Sequence, residues 1–353
     1  MKKLSAIIFL ALILSGCVGP VSRAPQGDAF AMAQEVAKQK SLAYERTVAE
    51  QARLYNVSFP IFAANVASCG NHVRPGYGMA IWNAYSAPRE FRDVAATLYG
   101  LGDALKVQTI APHSPAVRAG LSPGDTLIAI NGQELNGARA VKSLQQIMKA
   151  AGSRPSEVVF EHKGNVRSGI INPVSICDYP IGIDPSSVIN AQTDGQVIVV
   201  THGIMRFTET DDELALVIAH ELGHNTMGHI NKKMQNSLAG SLGGTALDAI
   251  LAAAGVSSGN QFGQLGGQLG ASAYSVDFEQ EADYIGMYFM ARAGFDTAGV
   301  ANFWRRMGAE GQGSLDHNTS HPSSPARFLA IERTDAEIAA KQQARQPLIP
   351  NFR

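Results

Sequence analysis

Two histidines stand four residues apart, with a glutamate directly after the first, in His220-Glu221-Leu222-Gly223-His224. On a helix, residues i and i+4 share a face, so both imidazoles turn toward one point and can ligate a single metal ion. Glu221 then lies one step round the helix, where its carboxylate reaches the water that such an ion would activate. The pattern fixes only three residues and arises by accident in chains of this size. It gains meaning only with a third ligand, because a catalytic zinc takes three protein ligands and keeps a position open.

The elements around this stretch suit that chemistry. Thr210-Asp211-Asp212-Glu213 has the form of a capping box. After it, Leu214, Val217, Ile218 and Leu222 recur at helical spacing, which puts the motif on the second to third turn of an ordinary helix. Val188 to Gln192 and Gln196 to Thr201 read as two strands around the turn residues Thr193-Asp194-Gly195. A strand placed like the second resembles the one that, in zinc peptidases with an HExxH helix, lies along the cleft and pairs with substrate backbone. His202, at its end, reads as structural.

A third ligand at the spacing of the metzincins is excluded, because the positions required hold Met227 and Ile230. His229 falls one residue short of that slot and reads as a packing residue or a support behind a ligand. The alternative is a carboxylate on a later helix, and Phe278-Glu279-Gln280-Glu281-Ala282-Asp283-Tyr284-Ile285-Gly286 supplies it. With its E-x-x-A-D pattern downstream of HExxH, the chain resembles the gluzincin metallopeptidase family of the CAAX prenyl protease, HtpX and BepA. The resemblance implies one Zn2+ per chain on His220, His224 and Glu279, Glu221 as general base, and Asp283 as the carboxylate that orients the ligand histidines. Glu281 is a rival ligand, but it points roughly 160° away from Glu279 round a helix. His321-Pro322 followed by Arg327 matches the family's HP-x-x-x-x-R. The family pattern brings His321 to the active site, either to stabilise the oxyanion or to take the fourth zinc position as a switch.

A second resemblance lies upstream. After a short strand at Val107 to Ile110, the run Ser114-Pro115-Ala116 … Ala119-Gly120-Leu121 … Gly124-Asp125 … Ile130-Asn131-Gly132 is similar to bacterial PDZ domains. Pro115 suits a helix start and Gly120 its end. Asn131-Gly132 is a hairpin signal. Ala140 to Met148 reads as the second helix and Glu157 to His162 as a later strand. Such a domain binds an extended peptide by strand addition, or here serves only as a spacer. Tyr99-Gly100-Leu101-Gly102 is the expected carboxylate-binding loop.

The start of the chain carries an address. Lys2-Lys3 precede a short apolar run, then Leu14-Ser15-Gly16-Cys17 resembles a bacterial lipobox. A run of about 11 residues is too short to span a bilayer comfortably. The resemblance implies lipidation at Cys17, and Val18 after it points to the periplasmic side of the outer membrane in a Gram-negative cell. Cys69 and Cys177 remain, and in an exported chain they read as a disulfide, with two buried thiols as the alternative. The 353 residues carry 29 basic and 30 acidic side chains with no basic block, which argues against nucleic acid as a partner.

The expected fold class is α+β. It comprises a mainly helical zincin-type metallopeptidase domain with a small edge-strand sheet, and an inserted PDZ domain, a small barrel or sandwich with two helices. The expected order is a signal peptide at 1–16, a tether at 17–27 and a helical region at 28–95 in which Pro60 ends the first helix. The PDZ domain follows at 96–170, the peptidase domain at 171–345 and a tail at 346–353. The Gly/Ala/Ser-rich stretch 238–273 is too broken to span a membrane and reads as a loop or helical hairpin beside the cleft. The function implied is a lipid-anchored envelope endopeptidase acting on protein or peptide substrates. The alternative is a PDZ-led binding or chaperone-like lipoprotein with a silent or regulated metal site.

Overall fold

The computed structural model describes residues 22, 24–25, 27–253, 258–272, 275–310, 321 and 324–352. The signal peptide, Cys17 and Pro322 lie outside the described residues. The chain forms two compact units, Met1–Ala43 and Tyr44–Arg353. In the first, the described part is chiefly the start of a long helix, Ala29–Ala64. All else belongs to the second.

Pro60 does not end that helix; it lies inside it. A proline there costs about 3 kcal/mol. Its neighbours Phe59, Ile61 and Phe62 are buried in the largest core, and each such burial contributes about 1.5–3 kcal/mol, so packing outweighs the broken hydrogen bond. Farther up the same helix, the Arg53 guanidinium donates to Asp211 (2.8 Å) and to the carbonyls of Met205, Thr208 and Thr210. Glu50 pairs with His202, which fits the structural reading of that histidine.

Eleven strands are present among the described residues: β1 Val73–Gly76, β2 Met79–Trp82, β3 Leu105–Ile110, β4 Thr126–Ile130, β5 Gln133–Glu134, β6 Ser156–His162, β7 Asn165–Ile171, β8 Val174–Cys177, β9 Ile181–Asp184, β10 Ala191–Thr193 and β11 Ile198–Thr201. β2-β3-β4-β6-β7 form the PDZ sheet, with β5 on β4. The turn between β4 and β5 is made by Asn131 and Gly132, both at positive φ (48° and 74°), as an Asn-Gly hairpin requires. Helix Ala140–Ala151 and the short helix Pro115–Arg118, capped by Ser114, complete the domain over its own core of Leu105, Leu127, Ile130, Leu144, Val158 and Phe160. β2 comes from the stretch 71–95, which has no clear hydrophobic period.

The PDZ domain is looped out of the peptidase. Where the chain leaves and where it returns, β1 and β8 zip antiparallel, Val73 opposite Cys177, and Cys69 is bonded to Cys177. The peptidase part carries the sheet β10-β11-β9 and the largest core, which runs from Leu54 and Phe62 to Ile338. β11 is the middle strand, antiparallel to β10 and parallel to β9. Its backbone is therefore already paired on both sides, and of the two strands expected it is β10, the first and not the second, that lies at an edge of the sheet.

The small-residue stretch is a helical hairpin, His229–Ala253 against Gln261–Ser272. A Cβ on Gly244 would stand 1.8 Å from the Phe262 carbonyl oxygen, so only glycine permits this approach. Asp248 ties the turn by accepting from the Gly263 amide (2.8 Å). No helix among the described residues is long and apolar enough to cross a membrane.

The disulfide closes a loop across a sequence separation of 108, worth roughly 4–5 kcal/mol in the chain-entropy model. The chain from residue 18 onward, denatured without reductant, is expected to take up no maleimide. Two labels per chain would contradict the bond.

Candidate metal centre

Helix Asp211–Thr226 starts at a working cap: the Thr210 hydroxyl accepts from the Glu213 amide (3.2 Å). Glu213 reaches back to the Glu209 amide (2.8 Å), one residue beyond the usual capping-box partner, and takes Arg306 in two 2.8 Å bonds. From Leu214 to Asn225 every residue is buried, so this helix runs through the core and its polar side chains are dry. Helix Ser275–Arg292 crosses it closely. A Cβ on Gly223 would stand 3.1 Å from the Ala282 carbonyl oxygen, and one on Gly286 would stand 3.0 Å from the His220 backbone nitrogen. Two glycines thus set the distance between the helix bearing the histidines and the helix bearing Glu279.

That crossing places His220 Nε2 3.1 Å from His224 Nε2 and 3.3 Å from Glu279 Oε2, with His224 Nε2 3.4 Å from Glu279 Oε1. His321 brings Nδ1 to 3.2 Å from His220 Nε2 and 2.8 Å from Glu279 Oε2. Ligand atoms at 2.0–2.1 Å around a tetrahedral zinc are about 3.3–3.4 Å from one another. Most of these separations are close to that, and the donor set of imidazoles and one carboxylate suits the same ion. Among the described residues, these four form the group able to hold a metal.

Asp283 lies behind His220, with its Oδ1 3.0 Å from the imidazole Nδ1. Arg327 grips Asp283 from the other side, Nε to Oδ2 at 2.7 Å and one terminal nitrogen to Oδ1 at 2.9 Å, and its other terminal nitrogen is 3.4 Å from Glu279 Oε2. The guanidinium stacks over Trp304, which in turn faces His220 edge-on. Glu221 Oε1 is 3.3 Å from His321 Nε2, while Oε2 is buried without a hydrogen-bond partner among the described residues. His321 Nε2 also donates to the Ala191 carbonyl on the outer strand β10 (3.2 Å).

These contacts set the charges. Burial pushes the His220 imidazole down, but the hydrogen bonds and charges of Asp283 and Glu279 outweigh it and raise it to about 9. Burial holds His224 down at about 3. For Glu279, burial raises the carboxyl, yet bonds from His220, His224 and His321 hold it far below the usual range. Asp283 follows the same pattern, with burial overcome by Arg327 and His220.

His220, His224, Glu279, His321, Glu221 and Asp283 are therefore gathered in one place. Glu281 is not among them: its Oε2 lies on His229 Nε2 at 2.7 Å. Sequence reasoning matched Arg327 to a motif without seeing that it neutralises Asp283, and missed Trp304 altogether. For Arg327, the HP-x-x-x-x-R spacing was the available signal; for Trp304 there was none.

The PDZ groove differs from its expected address. Gly100 is the left-handed cap (φ 59°) of helix Arg92–Tyr99, and Leu101 is buried with Tyr44, Trp82 and Val94, so Tyr99–Gly102 is spoken for. The edge strand is β2, preceded by Gly76-Tyr77-Gly78. Tyr77 donates its hydroxyl to the Met148 carbonyl (3.3 Å). A groove of about 450 Å³ runs between β2 and helix Ala140–Ala151, and Phe59, Phe62 and Ile181 of the peptidase part form its far wall.

Residues 172–335 match the model of peptidase family M48, and residues 106–161 that of the PDZ domain. The mitochondrial metalloendopeptidase OMA1 of Schizosaccharomyces pombe is 31% identical over 156 residues, 42% of this chain and 44% of that protein. The beta-barrel assembly-enhancing protease of Yersinia pestis is 33% identical over 119 residues, 32% of this chain and 24% of that protein. The chain thus spans less than half the length of these curated relatives. Among solved structures, the HtrA3 PDZ domain bound to a phage-derived ligand is 22% identical, covers 30% of this chain and 90% of that one, and has a TM-score of 0.24.

Replacing Arg327 by leucine would strand Asp283 in the core. Removing one partner of a buried pair costs about 3–5 kcal/mol, and urea denaturation at neutral pH is expected to show a loss of that order. Because the folded Asp283 carboxyl is depressed, its contribution is present above the normal carboxylate range and lost as pH falls below it. The gap between the two proteins should therefore narrow in acid; a gap that is constant with pH would contradict the ion-pair account.

Proposed function

We propose that this chain, which belongs to peptidase family M48 through residues 172–335 and carries a PDZ domain at residues 106–161, is a zinc-dependent endopeptidase of the bacterial cell envelope that cleaves misfolded or unassembled envelope proteins. The observation that carries this reading is the buried cluster of His220, His224 and Glu279 with Glu221 beside it. The envelope assignment draws on the lipobox-like Leu14–Cys17 and on the Yersinia relative, and it includes a lipid at Cys17 and the periplasmic face of the outer membrane.

His220, His224 and Glu279 would hold one zinc per chain. When bound, zinc supplies a Lewis acid that activates water near neutral pH and stabilises charge on a carbonyl oxygen. Glu221 accepts the proton of the attacking water and passes it to the leaving amine. Asp283 and Arg327 keep His220 in the Nδ1–H tautomer, leaving Nε2 free to ligate. β10, at the edge of its sheet, offers its backbone to an extended substrate, and the groove beside β2 takes a peptide of substrate or partner by strand addition.

One observation favours a second reading, a PDZ-led binding protein whose metal site is held closed. His321 turns Nδ1 into the ligand cluster while Nε2–H is bonded to Ala191, so it fits the fourth ligand position rather than standing aside for substrate.

The Glu221→Gln protein is expected to keep its zinc and melting temperature but to degrade casein about 10²–10⁴-fold more slowly. Wild-type protein should lose activity to a chelator and regain it with zinc. Casein turnover by Glu221→Gln at the wild-type rate would rule out the mechanism; no turnover by zinc-loaded wild type would favour the closed, binding reading.

A further inference from the structure

His229 is fully buried, and no part of the mechanism above uses it. Its Nδ1 lies 3.0 Å from Nδ1 of His224, and its Nε2 lies 2.7 Å from Glu281 Oε2. Phe278 stacks on the ring (centroids 4.8 Å apart, planes within 22°), and Lys232 lies over the same Phe278 ring and 3.8 Å from the same Glu281 oxygen. A buried imidazole bonded at both nitrogens has a fixed orientation.

The proton positions follow from the bonding pattern. His224 turns Nε2 toward His220 and Glu279. A neutral imidazole whose Nε2 lone pair faces a metal carries its proton on Nδ1. Among the described residues that proton has one partner, Nδ1 of His229, which must therefore be bare. His229 then carries its proton on Nε2 and donates it to the Glu281 carboxylate. All three groups are satisfied by this one arrangement.

We infer that His229 is a positioning residue for the metal: it accepts from His224 Nδ1–H, locks the tautomer and ring plane of that ligand, and is itself anchored by Glu281. The two ligand histidines are thus supported differently. His220 leans directly on a carboxylate, Asp283, whereas His224 leans on a carboxylate through a second imidazole. Glu281, at first sight a rival zinc ligand, is the outer end of that support. Partners of this kind typically account for about 10–100-fold in metal affinity.

This inference rests on the zinc reading of the cluster, and the test separates the two. Zn2+ affinity is measured by competition with a chromophoric chelator, all in the Glu221→Gln background so that turnover plays no part. The metal-free melting temperature reports folding. His229→Leu removes the acceptor but fills the space, and is expected to weaken zinc binding by about 10–100-fold. His229→Asn places an amide oxygen close to where Nδ1 stood and is expected to recover most of that loss. Glu281→Ala changes a side chain that is 43% exposed, leaves the fold intact, and is expected to weaken zinc binding several-fold. Equal affinity in the leucine and parent proteins, or equal losses in the leucine and asparagine proteins, would overturn the positioning role while leaving the zinc site standing. A parent protein that binds no zinc would overturn both.

Discussion

Two carboxylates, Glu279 and Asp283, are buried one helical turn apart in the middle of the core that holds the metal site, and a third, Glu221, is buried there with its Oε1 3.3 Å from His321. An unpaired charge in such a place costs several kcal/mol or more, so the arrangement exists only because cations meet it there. Arg327 is the principal one. It is buried too, bonded bidentately to Asp283 and close to Glu279, and it comes from the last long helix, Pro325–Gln343. That helix is thereby bound to the crossing of the other two. The orientation of His220, the spacing of the ligand atoms and the position of the C-terminal segment all depend on this one ion pair.

Close helix packing makes the ion pair effective. Gly223 and Gly286 let the helices bearing the histidines and the glutamate approach until their backbones nearly touch, and the ligand atoms then meet at tetrahedral spacing without long side chains having to reach. Caps do the rest: Thr210 starts one helix and Ser324, accepting from the Arg327 amide, starts another, which fixes where Arg327 begins its course toward Asp283. Among the described residues, none of the PDZ domain is in the metal-binding group. It is held at its root by β1, β8 and the Cys69–Cys177 bond, with its groove turned toward the peptidase core.

What was legible in the sequence was mostly local. HExxH, the capping box, the Asn-Gly turn and the PDZ run each lie within a few residues, where spacing maps directly onto geometry. E-x-x-A-D and HP-x-x-x-x-R located the remaining partners only through resemblance, since no spacing rule connects Glu279 or His321 to His220. The failures have a common physical origin in tertiary context. Pro60 sits within a helix because the core around it repays the break. β2 is a strand because β3 pairs with it, although Met79–Trp82 carries little period of its own. Which strand of the β10–β11 pair lies at an edge of the sheet depended on β9, far from the hairpin signal. Glu281 and His229 acquire a role only once two helices bring them together.

The central claim is that one zinc is held by His220 Nε2, His224 Nε2 and Glu279. The most direct measurement is an anomalous difference map from crystals of the metal-loaded protein, with data collected on either side of the zinc absorption edge. The account predicts a single strong peak present above the edge and absent below it, about 2.0–2.1 Å from those three ligands. A protein that crystallises with this fold and bound zinc, but whose peak lies elsewhere or is coordinated without Glu279, would contradict it.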